Sequence, residues 1–294
     1  MSLVVTLVAG SPAVHLPDTV ADMPAMLPLA GPPDWLAPGI ACDLYVAESE
    51  AAQIEAAARA AIDRAAVDVL VQPTEGRRKQ VLVADLEATI IENEMLDELA
   101  EFVGLRERVA AITRRAMNGE IDFAAALAER VALLRGLPAS VLDKAAARIR
   151  LMPGARALVA TARANGVRTL LVSGGFTVFA DRVGAELGFD RVVANRLDIA
   201  GGHIAGTVAA PLVTGATKRE ALLGLAAECG APLSATLAVG DGANDVPMLE
   251  AAGLGLAFHA KPAVAAAARW RIDHADLTAL LYAQGYRAEE IVGH

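Results

Sequence analysis

The stretch Gln80-Val-Leu-Val-Ala-Asp85-Leu-Glu87-Ala-Thr89 decides how the rest of the chain is read. Its first five residues, apolar after Gln80, form a run too short for a helix and suited to a strand buried on both faces of a parallel sheet. Two carboxylates and a hydroxyl then follow at once on the strand-to-loop exit. Downstream come about 60 residues of helical periodicity, at 93–103, 106–118, 122–135 and 139–150, interrupted at Gly104, Asn118-Gly119 and Gly136-Leu-Pro138. After Met152-Pro-Gly154, strands predicted at 167–172, 191–194, 235–239 and 254–257 alternate with helices at 155–165, 176–187, 217–229, 244–251 and 262–268. That alternation predicts a doubly wound parallel sheet, with ligands at the carboxyl ends of its strands and a helical insertion at about 92–150. Residues 195–214, with Gly201-Gly202 between apolar alternations, read as a β-hairpin.

Upstream of Gln80 the pattern changes. Residues 3–9, 40–47 and 67–72 are predicted strands, 50–64 a helix, and seven prolines within 11–38 allow only short helices there. The polar, turn-rich stretch 73–79 reads as a linker. The expected organisation is a small α/β domain over 1–74 and a larger α/β domain over 75–294.

The chain has 294 residues, and its 26 basic against 35 acidic side chains give a net charge of −9. With 4% aromatics and a pI near 5.1 it lacks the basic face and stacking platform of nucleic-acid binders. Mean hydropathy is +0.42, yet the most apolar window, Leu222 to Val239, contains Glu228, Gly230 and Pro232, so no membrane span is expected. The N-terminus lacks a basic region before its apolar run, and Cys42 and Cys229 form neither a disulfide framework nor a metal-binding spacing. A cytoplasmic location is the expectation.

The polar clusters all follow predicted strands. Asp85, Glu87 and Thr89 follow the first. Ser173-Gly174-Gly175 follows the second and opens a helix, a place where backbone N–H groups receive anions. Lys218 lies at another helix start, and Gly240-Asp241-Gly-Ala-Asn244-Asp245 follows the strand at 235–239. Taken singly, Asp85 would be a turn residue, Ser173-Gly-Gly a plain turn and Lys218 a solvated charge, although a lysine opposes the dipole of a helix start. Together, hard oxygen donors, one lysine and an anion nest at a single sheet edge are what magnesium-assisted phosphoryl transfer requires.

Asp85-x-Glu87-x-Thr89, Val172-Ser-Gly-Gly-Phe176, Lys218 and Gly240-Asp-Gly-Ala-Asn-Asp245 resemble the four motifs of the haloacid-dehalogenase-like phosphatases. Further segments resemble the phosphoserine phosphatase branch: Glu94-x-x-Asp97-Glu98-Leu99, Met117-x-Gly119, Phe123-x-x-x-Leu127-x-x-Arg130, Ala194-Asn-Arg-Leu197 and Ala257-Phe-His-Ala-Lys-Pro262. The resemblance covers about 78–282, and the position of residues 1–74 resembles the ACT-like N-terminal domain of longer members.

The resemblance implies hydrolysis of O-phosphoserine through an aspartyl-phosphate. Asp85 is then the nucleophile and Glu87 the general acid and base. Mg2+ is held by Asp85, the Glu87 carbonyl and Asp241, with Asp245 on its water shell. Ser173, Gly174 and Lys218 hold the phosphoryl oxygens, with Asn244 nearby. The insertion becomes a cap in which Glu94 meets the substrate ammonium, Arg130 its carboxylate, and Met117 and Phe123 seal out water. Members normally carry Asp where this chain has Glu87, and Ser is frequent at Ala88. The extra methylene predicts a carboxyl reaching past the leaving oxygen, with Ala88 leaving room for a folded-back side chain. Other small phosphomonoesters, phosphotransfer to a second alcohol, or an impaired phosphoserine-binding protein stay open as alternatives, as does a homodimer.

Overall fold

The computed structural model describes residues 2–11, 13–47, 50–62, 65–117 and 120–293. Two hydrogen-bonded sheets organise it. The first is built from β1 (Leu3–Ala9), α1 (Leu16–Asp22), β2 (Asp34–Ala37), β3 (Ala41–Val46), α2 (Ala51–Ile62) and β4 (Val67–Pro73), in the order β2-β3-β1-β4. Its pairings are antiparallel, which makes this a βαββαβ unit of ferredoxin-like topology. On β1, Leu3, Val5, Leu7 and Ala9 pack with Leu16 and Val20 of α1 and Ile54 and Ala58 of α2, whereas Val8 belongs to the core of the larger unit. Both faces of β1 are therefore covered, which is why all seven of its residues are buried instead of alternating.

The second sheet starts with β5 (Val81–Ala84). The insertion follows as α3 (Met95–Glu101), α4 (Arg106–Met117), α5 (Phe123–Ala132) and α6 (Ser140–Ala146). Then come α7 (Ala155–Ala164), β6 (Arg168–Phe176), α8 (Thr177–Leu187), β7 (Arg191–Ala200), β8 (His203–Ala209), α9 (Gly215–Glu228), β9 (Thr236–Gly240), α10 (Val246–Ala251), β10 (Leu254–Phe258), α11 (Pro262–Ala267), β11 (Trp270–Ile272) and α12 (Ala279–Ala283). The strand order is β11-β10-β9-β5-β6-β7-β8, parallel except for the β7–β8 pair. The four residues of β5 are fully enclosed, and Ala84 pairs with Leu171 on one side and Val239 on the other. This register brings Asp85, Ser173 and Asp241 to one edge, where the winding reverses direction. No helix among the described residues is long and apolar enough to cross a membrane.

Besides β2, β11 and α12, which the sequence reading does not contain, the structure departs from it in three ways that bear on the site or on the docking of the two sheets. The strand predicted at 167–172 continues through Ser173-Gly-Gly to Phe176, with a break in register against β7 between Ser173 and Phe176, so α8 begins only at Thr177. The strand at 191–194 and the first arm of the hairpin are one ten-residue strand, β7, which turns into β8 at Gly201-Gly202, both at positive φ. Of the stretch 73–79, Pro73 ends β4 and 74–79 lack regular structure, but the stretch is no loose tether. Arg77 and Lys79 are buried. The Arg77 guanidinium donates to both oxygens of Asp43, to Thr6 Oγ1 and to the carbonyls of Tyr282 and Ala283. A turn-rich composition marks where regular structure stops; it carries no information on partners 34 or 205 residues away.

Further contacts fix the small unit against the large one. The Trp270 indole donates to the Val71 carbonyl at 2.9 Å, and Gln72 Nε2 donates to Ala283 at 2.7 Å. The buried Asp68 carboxylate accepts from the backbone amides of Asp273, His274 and Ala275.

Candidate active site

Lys218 lies in the first turn of α9 and is fully buried, with its Nζ 2.6 Å from Asp85 Oδ1 and 2.6 Å from Asp245 Oδ1. The mismatch between a lysine and a helix start is thereby resolved: its partners are two carboxylates on neighbouring strand exits. Burial alone would lower the ammonium pKa, but Asp245 and Asp85 outweigh it and hold the group charged. Asp85 itself is pushed up to about 8, first by burial and then by Asp245, against the pull of Lys218. The Asp245 carboxylate also accepts from the Gly242 amide at 3.0 Å, which folds the Gly240–Asp245 loop back on itself.

Asp85, Asp241 and Asp245 each present a carboxylate oxygen, and these oxygens lie within 4.8 Å of one another. Burial raises the Asp241 pKa as well, because its charge is costly in a dry place beside other acids. An all-oxygen donor set of this kind suits a hard divalent cation.

Glu87 is seated, not displaced. Its Oε1 accepts from the Met95 amide at 3.0 Å, at the first turn of α3, and its carboxyl lies against Gly175, where a Cβ would approach Oε1 to 2.9 Å. Desolvation, then Glu94 and Asp85, push Glu87 up to about 8. Ala88 beside it adopts φ 53°, a left-handed conformation that costs energy for a residue with a Cβ.

Ser173 Oγ accepts from the Gly175 amide at 2.9 Å, and the Gly174 carbonyl accepts from Asn195 Nδ2 at 2.7 Å. Asn195 Oδ1 in turn accepts from the Val213 amide. A Cβ at Gly174 would meet Phe123 Cζ at 3.0 Å and Asn244 Nδ2 at 3.6 Å. Phe123, the first residue of α5, therefore lies directly on the Ser173-Gly-Gly end of β6 and joins the insertion to the sheet edge.

Arg130 on α5 is half-buried, and its Nε donates to the Ala126 carbonyl at 3.2 Å. Glu87, Glu94 and Asp97 are the acids that act on its guanidinium. Glu94 immediately precedes α3, and its Oε1 lies 3.8 Å from Lys261 Nζ. The Met117 side chain lies outside the described residues. Every other candidate, namely Asp85, Glu87, Glu94, Phe123, Arg130, Ser173, Gly174, Lys218, Asp241, Asn244 and Asp245, borders this one edge or the helices over it. Two residues escaped selection although both stand in segments quoted above: Asn195, which braces the Gly174 carbonyl, and Lys261, whose Nζ is 3.2 Å from Asp241 Oδ2. Their signal was position in a motif; a role needed their distant partners.

A family model described as haloacid dehalogenase-like hydrolase matches residues 82–250. A phosphoserine phosphatase of Streptomyces coelicolor is 45% identical over 215 residues, which cover 73% of this chain and 52% of that protein. The chain thus spans about half the length of that relative. A HAD family hydrolase of Salmonella enterica subsp. enterica serovar Typhi superposes with a TM-score of 0.85 at 27% identity, covering 96% of this chain and 97% of that one. A phosphoserine phosphatase solved as a phospho-aspartyl intermediate analogue superposes with a TM-score of 0.66 at 36% identity, over 70% of this chain and 98% of that one.

Proposed function

The chain belongs to the haloacid dehalogenase-like hydrolase family, and on that premise we propose that it hydrolyses O-phosphoserine to serine and phosphate through an aspartyl-phosphate on Asp85. The observation that carries the reading is Lys218, held 2.6 Å from both Asp85 and Asp245 at the edge over which Glu94 and Arg130 stand. A phosphomonoester with an ammonium and a carboxylate matches that set of charges, and the relatives' names agree.

An Asp85 oxygen attacks phosphorus while the Glu87 carboxylic acid gives its proton to the departing seryl oxygen. Burial, with Glu94 and Asp85 nearby, pushes the Glu87 carboxyl up, toward the protonated form that this step uses. Glu87, now ionised, takes a proton from water as the water oxygen attacks phosphorus, and Asp85 and phosphate are released. Lys218 neutralises the Asp85 carboxylate and the phosphoryl oxygens next to it, while Ser173, Gly174 and Asn244 line the place those oxygens occupy. Phe123 over Gly174 keeps bulk water from the phosphoryl group. Asp85, Asp241 and Asp245, with the Glu87 carbonyl, would hold Mg2+, which would supply positive charge against the phosphoryl oxygens. On the insertion, Arg130 pairs with the substrate carboxylate and Glu94 with its ammonium.

The test is phosphate release from phosphoserine, phosphoethanolamine, phosphothreonine and phosphoglycolate, with and without Mg2+. The expected result is magnesium-dependent turnover with phosphoserine giving the highest kcat/KM. Folded protein that releases no phosphate from phosphoserine under saturating Mg2+ overturns the reading.

A further inference from the structure

Lys261 reaches from the sheet edge toward the insertion. Its Nζ lies 3.2 Å from Asp241 Oδ2 and 3.8 Å from Glu94 Oε1, and its backbone amide donates to the Asp241 carbonyl at 3.3 Å. The turn that carries it is built for this placement. His259, two residues earlier, adopts φ 43°, and its amide donates to the Ile272 carbonyl at 2.8 Å. The His259 ring stacks on Phe258, and its Nε2 lies 2.9 Å from the Ala275 carbonyl. A left-handed conformation at a residue with a side chain persists only where surrounding contacts over-determine it.

We infer that Lys261 is a positioning residue that couples two halves of the site: it holds Glu94 toward the sheet edge and shares Asp241 with the divalent cation. The inference rests on the phosphoserine reading for the role of Glu94. Without the ammonium, two carboxylates that face the same point repel each other, and Glu94, at the head of the short helix α3, is the one free to swing away. Asp241, in contrast, is fixed in the Gly240–Asp245 loop and would keep its place with one competing positive charge fewer. The two consequences have opposite signs. Loss of Lys261 weakens the hold on the substrate ammonium and tightens the hold on the metal.

The experiment uses the full chain and the variants Lys261→Met and Lys261→Arg, with Mg2+ binding measured by calorimetry in the absence of substrate. For Lys261→Met the expected results are Mg2+ binding about 3- to 10-fold tighter, the scale of one charge removed beside a ligand in a partly wet site. They also include a phosphoserine KM about 10-fold higher with kcat changed by less than about 3-fold, because an interaction made equally in ground and transition states is lost. Amide exchange over Met95–Glu101 is expected to quicken. Lys261→Arg restores all three. Weakening of both metal and substrate binding would mean a general loss of structure and overturns the inference, as does an absence of change in either. Should the unmodified protein release no phosphate from phosphoserine, the substrate reading alone falls, and Mg2+ calorimetry together with amide exchange still decides the role of Lys261.

Discussion

The Met95 amide donates to Glu87 Oε1 at 3.0 Å, so the acid at the centre of the proposed reaction is fastened to the first turn of the first helix of the insertion. The longer side chain, which by sequence predicts a misfit, reaches a donor on an element that also carries Glu94. Placement of the acid and placement of Glu94 thus depend on the same two adjacent residues, 94 and 95, at the head of the insertion.

Glu87→Gln keeps the acceptor for Met95 and removes the transferable proton. Turnover on phosphoserine is expected to fall on the order of 10²–10⁴-fold with Mg2+ binding unchanged, the usual worth of general acid and base catalysis. Glu87→Asp retracts the carboxyl from the Met95 amide, so kcat is expected to fall rather than rise. A Glu87→Asp protein faster than the natural one, measured at saturating Mg2+, would show that the hydrogen bond holds the acid in the wrong place.

Asp85→Asn is expected to leave a folded protein, since Lys218 keeps its 2.6 Å contact with Asp245, and to lose at least about 10³-fold in phosphate release. The measurement is single-turnover phosphate release alongside circular dichroism. Turnover near normal in the folded variant rules out a covalent step on Asp85.

Arg130 spends one contact on the Ala126 carbonyl and only a long one, 3.5 Å, on Thr113 Oγ1, which leaves its fork available to a carboxylate. Arg130→Ala is expected to raise the KM for phosphoserine by the equivalent of about 2–3 kcal/mol, and to change that for phosphoethanolamine, which lacks the carboxylate, far less. Equal losses on the two substrates would remove Arg130 from the carboxylate site.

Arg77→Ala leaves Asp43, which is 1% exposed, without its cationic partner and with the Thr6 hydroxyl as a remaining donor, and it removes one donor from each of the Tyr282 and Ala283 carbonyls. Breaking a buried pair from one side costs about 3–5 kcal/mol, and the expected result is a lower urea midpoint. A destabilisation below about 1 kcal/mol would show that the two sheets do not depend on this arginine for their docking.

Gly175→Ala places a Cβ 2.9 Å from Glu87 Oε1, at a contact that real side chains do not tolerate. The acid has to give way, and kcat is expected to drop at least about 10²-fold, the scale of a misplaced reacting group, while Mg2+ binding by the aspartates persists. Calorimetry and turnover on the same preparation check both halves; unchanged turnover would mean that Glu87 acts from another rotamer.

Much of this architecture is local in origin, and such features are legible along the chain. Val81–Ala84 is a strand because four apolar residues lie between polar turns, and Asp85 and Asp241 reach one edge because parallel strands joined by helices all end on the same side. The acids, the Ser173 loop and the insertion follow from order and period alone. What the tertiary structure decided involves partners far apart in sequence. Lys218 is a buried counter-ion only because Asp85, 133 residues earlier, and Asp245, 27 residues later, converge on it. The stretch 73–79 docks because Arg77 finds Asp43 and the end of α12, and Glu87 fits because the insertion brings the Met95 amide to its carboxyl. Backbone preference acts over a few residues and can be summed along a chain, whereas desolvation and charge pairing depend on what the fold brings within a few ångströms.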